Sequence, residues 1–273
     1  MQKLRTIWVK LKTIIKIITL RPYLRYLEFH IADHCNLKCN ACTHFSNISE
    51  PNIIDARFLE FRFTRLRELF GIIMTIRILG GEPLLHPDII EILSSSRFNF
   101  PFSKIELVTN GLLLDKMPKE FFEACRRNKI AVYISKYPVI ENKLKKINEL
   151  LSSFKIKYYI SPKIINFSAN LNPKGDSDKD ITFKNCRHKI CTILREDNIY
   201  LCPIAAYIDK YNKYFNKNIP VPKGINIYSN SAKQILNYKK NSEETCRYCT
   251  NVANYVNWSC SNNPKETDWN GKI

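Results

Sequence analysis

From Tyr26 onward the apolar positions switch repeatedly between two periods. Residues 26–31 form a short apolar run suited to a strand, and Leu59, Phe63, Leu66 and Phe70 then recur at three- and four-residue spacing, one face of a helix beginning near Asp55. Residues 75–79 read as a buried strand. Ile89, Ile92 and Leu93 mark the next helix, with Pro87 and Asp88 in its first turn. Residues 104–109 read as a strand closed by Asn110-Gly111. Phe121, Phe122 and Cys125 fit a helix, residues 130–135 a strand, Ile140, Leu144, Ile147 and Leu151 another helix, and residues 155–160 a last strand. Such alternation predicts an α/β fold with right-handed crossovers and a parallel sheet. Ligands in these folds sit at the carboxyl ends of the strands.

The ends of the chain break this pattern. Ile7, Leu11, Ile14 and Ile18 share one helical face with Trp8 and Ile15, while Lys3, Lys10 and Lys12 interleave. Lys16 interrupts the run, so it falls short of the ~18 apolar residues a spanning helix needs. An unbroken apolar core and a small-residue cleavage site, the marks of a secretory signal, are both missing from this stretch. Two readings remain: a helix packed on the domain, which is favoured, or a basic amphipathic helix in contact with a membrane surface. Residues 166–180 are polar and read as a linker or mobile loop. Residues 181–273 are irregular, cysteine-bearing and rich in Asn and Tyr, and are expected to need metal to fold. The organisation expected is therefore residues 1–23 as the helix, 24–165 as the core, 166–180 as the linker and 181–273 as a small cysteine-rich module.

Charge and cysteine usage narrow the chemistry. The chain has 273 residues and 43 Lys plus Arg against 25 Asp plus Glu, a formal charge of +18. This favours anionic neighbours, although a Lys- and Asn-rich composition produces the same balance without a partner. The ten cysteines cluster at 35/39/42, 186/191/202 and 246/249, with 125 and 260 apart. Clustering at metal-ligand spacing in a chain of this length points to a reducing cytoplasm.

Cys35-Asn-Leu-Lys-Cys39-Asn-Ala-Cys42 is the most informative stretch. Three local thiols hold three irons of a four-iron cube and leave the fourth open to a ligand. Zinc sites usually combine two separated thiol pairs, and this spacing does not divide that way, which favours iron–sulfur over zinc. Some forty residues later the 75–79 strand runs into Gly80-Gly81-Glu82-Pro83. Two glycines allow a sharp turn and close approach to a ligand, and a glutamate can pair with an ammonium group.

Together, in this order and at this separation, the two motifs resemble the radical S-adenosylmethionine (radical SAM) superfamily over about residues 24–160. The resemblance implies a partial (β/α)6 TIM-like barrel and a [4Fe-4S] cluster on Cys35, Cys39 and Cys42. It also implies S-adenosylmethionine (SAM) at the open iron, an electron donor such as flavodoxin or ferredoxin, and a 5′-deoxyadenosyl radical that takes hydrogen from a substrate. Gly80, Gly81, Glu82 and Pro83 match the family's SAM motif, with Glu82 expected to receive the methionine ammonium. Asn110 and Ser135 occupy strand ends where the family contacts ribose or carboxylate. One departure is Ala41, where the family carries an aromatic residue near the adenine; Phe45 or His44 is the candidate replacement. His30, His34 and His44 flank the loop, and packing is the commoner role for such residues.

Cys191 and Cys202 lie on the two arms of a short hairpin, and Cys246-Arg-Tyr-Cys249 follows. This resembles the auxiliary-cluster extension of SPASM and twitch-type radical SAM enzymes, which implies a second [4Fe-4S] cluster on Cys191, Cys202, Cys246 and Cys249. A glycine usual near Asn198 is missing, and Asn tolerates positive φ. Cys186 is a rival ligand, and a zinc site drawing on Cys186, His188 and Cys191 remains open. Cys260 is a spare thiol or a ligand, and Cys125 reads as core.

The tract around Thr43-His-Phe-Ser46 and Cys202-Pro-Ile-Ala-Ala resembles members associated with surface-polysaccharide biosynthesis, implying a sugar or sugar-nucleotide substrate. A peptide or protein side chain is the rival. A reading from another class is a non-catalytic zinc- or cluster-bearing protein that binds nucleic acid. The basic residues are dispersed and no nucleic-acid module is recognisable, which disfavours it.

Overall fold

The computed structural model describes residues 2–19, 21–252 and 254–270. After α1 (Gln2–Ile18), the strands β1 (Tyr23–Ala32), β2 (Ile72–Gly80), β3 (Lys104–Thr109), β4 (Ala131–Ile134) and β5 (Tyr158–Ile160) alternate with α2 (Ala56–Leu69), α3 (Ile89–Asn99), α4 (Lys119–Arg127) and α5 (Leu144–Ser153). The five strands are parallel and adjacent in chain order. This is the α/β core that the periodicity predicts: β3 keeps its expected bounds, β1 and β2 start three residues earlier and end one later, β4 is one residue shorter at each end, and β5 starts three residues later. The Asp55 side chain accepts the Arg57 N–H and starts α2, whose Leu59, Phe63 and Leu66 are buried against the sheet. Glu28, Arg77 and Glu106 stand in register across β1, β2 and β3, with Arg77 Nε 2.8 Å from Glu106 Oε2.

The rest of the chain is more ordered than its composition suggests. Its elements are β6 (Asn166–Ser168), α6 (Lys179–Asn185), β7 (Ile193–Arg195), β8 (Asn198–Tyr200), α7 (Pro203–Phe215), β9 (Ile225–Asn226), α8 (Ala232–Tyr238) and β10 (Tyr255–Asn257). β7 pairs in parallel with the free side of β1, as a sixth parallel strand, and β8 and β9 extend the same sheet antiparallel. β6 pairs with β10, so the start of the polar 166–180 stretch is a strand and not a loop. α7 buries Ile204, Tyr207, Ile208 and Tyr211, a helical spacing that sits in the sequence of the segment read as irregular. A second core forms where Phe45 and Ile48, from the cysteine loop, meet Leu171, Ile193, Ile208 and Trp269.

Two local expectations are corrected. The hairpin's positive φ falls on Glu196 (52°), in the two-residue turn, whereas Asn198 is already in strand. α1 packs through Val9 and Thr13, and its large apolar residues face outward. The Lys3 side chain lies outside the described residues. No helix among the described residues is long and apolar enough to cross a membrane.

Candidate functional site

The carboxyl ends of four parallel strands converge on one cavity of ≈170 Å³. The cysteine loop follows β1, Gly80 ends β2 and Gly81 comes next, Asn110 follows β3 and Ser135 follows β4. Cys35, Cys39, Cys42, Gly80, Gly81, Asn110 and Ser135 all line the wall, joined by His44, Asn47 and Tyr137. Thus eight of the residues singled out from the sequence, His44 included, meet in space.

The glycines are dictated by backbone contact. A Cβ on Gly80 would lie 2.1 Å from the Ala32 carbonyl oxygen, and one on Gly81 would lie 2.2 Å from that of His34. The Gly81 N–H donates to Ala32 O (2.8 Å) and the Glu82 N–H to His34 O (3.1 Å), which clamps the Gly80–Glu82 turn to the start of the cysteine loop. His34 thus contributes through its backbone.

The Glu82 carboxylate, expected to receive an ammonium group, is not itself on the cavity wall. It is fully buried and accepts from Leu84 N (3.1 Å), Thr109 Oγ1 (2.7 Å) and Asn110 N (2.9 Å). Burial raises its carboxyl to about 7, against the pull of those three donors. These bonds tie the loop after β2 to the end of β3. Pro83, likewise off the wall, opens a short 3-10 turn. The Asn110 amide is also engaged: Nδ2 donates to Asn36 Oδ1 (2.7 Å) and Oδ1 accepts from Leu112 N (3.0 Å). Ser135 stands half-buried on the wall.

Donors surround the thiols. The Leu37 N–H donates to Cys35 Sγ (3.3 Å), and Asn110 Nδ2 lies 3.7 Å from the same sulfur. The Trp258 Nε1–H donates to Cys39 Sγ (3.3 Å). Burial pushes the Cys35 thiol up to about 12 and raises Cys39 and Cys42 in the same direction. Trp258 was missed by sequence reasoning, as were Asn47 and Tyr137 on the wall. So was Trp269, whose Nε1–H donates to Cys42 O (2.9 Å). Both tryptophans reach the loop from more than two hundred residues away, and no local pattern announces them.

Phe45, a candidate for the adenine contact, is buried against Tyr211 and Trp269 and is off the wall; His44 is on it. His44 Nδ1 lies 2.6 Å from His30 Nε2, and His30 Nδ1 lies 3.3 Å from Asp33 Oδ1. Asp33 is held by Lys210 Nζ (2.9 Å) and Asn52 Nδ2 (2.9 Å). The carboxylate claims the His30 Nδ1–H, so the His44 Nδ1–H donates to His30.

The second cysteine group is also gathered. Burial foremost raises Cys202, Cys246 and Cys249, and the Cys186 thiol raises all three further. Cys191, pushed up to about 12 by burial, has Glu28, Lys239 and Cys186 as its strongest charged neighbours. Among the described residues no three His, Cys, Asp or Glu side chains group tightly enough to hold a single metal ion. Thiols around a four-iron cube stand further apart than the ligands of one zinc. Cys125 is core, as expected, and Cys260 lies beside Cys39, their sulfurs 4.0 Å apart.

Comparison with known proteins agrees with this geometry. The family model of the radical SAM superfamily matches residues 29–136. GTP 3′,8-cyclase of Microcystis aeruginosa is 31% identical over 102 residues, covering 36% of this chain and 31% of the relative. That of Geobacter sulfurreducens is 33% identical over 103 residues, covering 37% and 31%. The chain thus spans about a third of the length of these curated relatives. The crystal structure of BtrN in complex with AdoMet and 2-DOIA matches 85% of this chain and 95% of its own, with a TM-score of 0.54 and 16% identity, a likeness of fold. Residues 29–136 thus match the radical SAM superfamily domain, the domain of enzymes that use a [4Fe-4S] cluster and S-adenosylmethionine.

Proposed function

We propose that this chain reductively cleaves SAM at a [4Fe-4S] cluster held by Cys35, Cys39 and Cys42, and acts on a sugar or sugar nucleotide. The observation that carries the reading is the convergence of three thiols, two glycines that admit no side chain, and the ends of four parallel strands on one cavity. The residues fit a cluster: N–H groups of Leu37 and Trp258 already point at two of the sulfurs, as they do at thiolates. When bound, the cluster supplies the electron that splits the sulfonium of SAM and frees a 5′-deoxyadenosyl radical.

The chain's own residues position and shield. Gly80 and Gly81 bring backbone to the cavity wall, where their polar groups and Ser135 meet the methionine end of SAM. Glu82 keeps those loops in place through Thr109 and Asn110. The His44 ring stands on the same wall. Buried thiols with raised pKa release protons as iron binds, so loading is favoured at higher pH.

Substrate class rests on Asn47, which is 7% exposed, lines the cavity, and leaves both amide atoms without a partner. A hydroxyl both donates and accepts, which suits a polyol. The neighbouring cleft that Asn47 also lines is balanced in charge, with Lys210 on Asp33 and Lys213 on Glu50. The second cysteine group is read as an auxiliary [4Fe-4S] site on Cys191, Cys202, Cys246 and Cys249, with Cys186 as the rival ligand; Cys191, Cys202 and Cys249 pack against the same core cluster. An external electron donor such as flavodoxin or ferredoxin completes the system.

The test is anaerobic reconstitution with iron and sulfide, addition of SAM and dithionite, and measurement of 5′-deoxyadenosine. Production above a no-protein control, lost in a triple alanine variant of Cys35, Cys39 and Cys42, is expected. Unchanged cleavage in that variant refutes the ligand assignment.

A further inference from the structure

We propose that α1 is an interfacial helix that docks the protein on an anionic phospholipid bilayer. The orientation of the helix carries this. Ile7, Trp8, Leu11, Ile14, Ile15 and Ile18 fall within about 120° of arc at 3.6 residues per turn. All six are exposed, between 42% and 73%. The opposite side, made of Val9, Thr13 and the stem of Lys16, is what meets the domain; Lys16 Nζ donates to Arg67 O at 2.5 Å. A helix that serves only to cover a core turns its apolar stripe inward. Here the stripe faces out, and the domain receives the narrower and more polar side.

Charge chooses the occupant. α1 carries five basic residues and no acidic one. Arg5 and Lys12 border the stripe on one side and Lys10 on the other, and all three are exposed. Lys12 Nζ sits 4.6 Å from the centre of the Trp8 ring, which places an aromatic and a cation together at the edge of the stripe. An apolar stripe flanked by cations complements lipid tails beneath anionic headgroups. A second copy of the helix would bring the same cations against these, with no carboxylate to pair them, so self-association is disfavoured. The helix is not of a kind that spans a bilayer.

Docking leaves the cavity open. α1 packs on the side where β2 begins: Thr13 lies beside Gly71, Ile72 and Ile73, whereas the cysteine cavity lies at the far end of the same strand. The cavity therefore faces away from the bilayer, towards soluble substrate.

The experiment is co-sedimentation of the reconstituted full chain with vesicles of pure phosphatidylcholine and with vesicles half phosphatidylglycerol. Binding to the second kind, reduced at high salt, is expected, with little binding to the first. A Leu11→Glu/Ile15→Glu variant should lose more than about tenfold in vesicle affinity. A Lys10→Glu/Lys12→Glu variant should lose about tenfold or more on anionic vesicles alone. All four side chains are exposed, so far-UV circular dichroism and iron content should stay as in the parent, which separates lost docking from lost folding. Absence of binding to anionic vesicles by the folded parent overturns the proposal. So does equal binding to both vesicle kinds, or a dimer in light scattering that the Leu11→Glu/Ile15→Glu variant abolishes. The readout does not involve SAM cleavage, so its failure is distinct from failure of the enzymatic reading.

Discussion

Removing the Trp269 side chain should loosen the cysteine loop and destabilise the fold together. The residue is 2% exposed, with ring centres of Phe45, Tyr211 and Phe215 at 5.9, 5.8 and 5.6 Å. Its Nε1–H is bound to Cys42 O. Truncating a buried Trp to Ala costs about 3–5 kcal/mol through lost transfer energy and a cavity. A buried carbonyl left without its donor adds about 1–3 kcal/mol. Trp269→Ala should therefore cost about 4–8 kcal/mol, a large share of the roughly 5–15 kcal/mol that holds an ordinary domain. Trp269→Phe keeps the aromatic packing and isolates the hydrogen bond, so about 1–3 kcal/mol is expected. Urea unfolding of the iron-free protein gives both values, and iron per chain after reconstitution reports on the loop, falling in the order parent, Phe, Ala. A Trp269→Ala protein within about 1 kcal/mol of the parent, loading iron normally, would refute the idea that the C-terminal segment clamps the loop.

Gly81→Ala places a Cβ 2.2 Å from His34 O, where backbone must move. A cost of about 1–3 kcal/mol or more is expected in thermal unfolding, together with poorer iron loading because Cys35 is next in the chain. His30 and His44 are both held below the ordinary histidine value, burial being the first cause, with His30 brought to about 4. The unfolded chain then binds more protons between about pH 6.5 and 4, so stability falls as pH drops through that window, by about 3 kcal/mol for His30. Urea midpoints across this range should show the slope, and a His30→Gln variant in which it is undiminished would contradict the assignment. Cys39 and Cys260 face each other as an antiparallel bridge, flanked by Asn40 N to Ser259 O and Ser261 N to Lys38 O (both 2.9 Å). That is a non-hydrogen-bonded pair, with Cα atoms about 4.5 Å apart, within reach of a disulfide. Hydrogen peroxide applied to the iron-free protein should join them, giving a disulfide and water; peptide mapping that finds Cys39 unlinked or paired elsewhere would count against it.

Much of the molecule is written in short-range pattern. Apolar period alone carried β1 to β5 and α2 to α5, because a strand buried on both faces and a helix with one buried stripe leave opposite signatures over a few residues. The cysteine and glycine motifs were likewise legible, since each is a run of neighbours tied to the end of one strand. What failed was whatever depends on which surfaces meet. The stripe on α1 was evident in the sequence, yet only the packing of Val9 and Thr13 decided that it faces outward. The donors to the Glu82 carboxylate, Thr109 and the Asn110 N–H, come from the next strand's end and were not legible beside it. The apparent irregularity of residues 181–273 hid α7, because its core partners Phe45 and Ile48 lie in the cysteine loop far upstream. Trp258 and Trp269 close on Cys39 and Cys42 across more than two hundred residues. Local periodicity is set by each residue's immediate neighbours; burial and hydrogen-bond partners are set by segments that only the folded chain brings together.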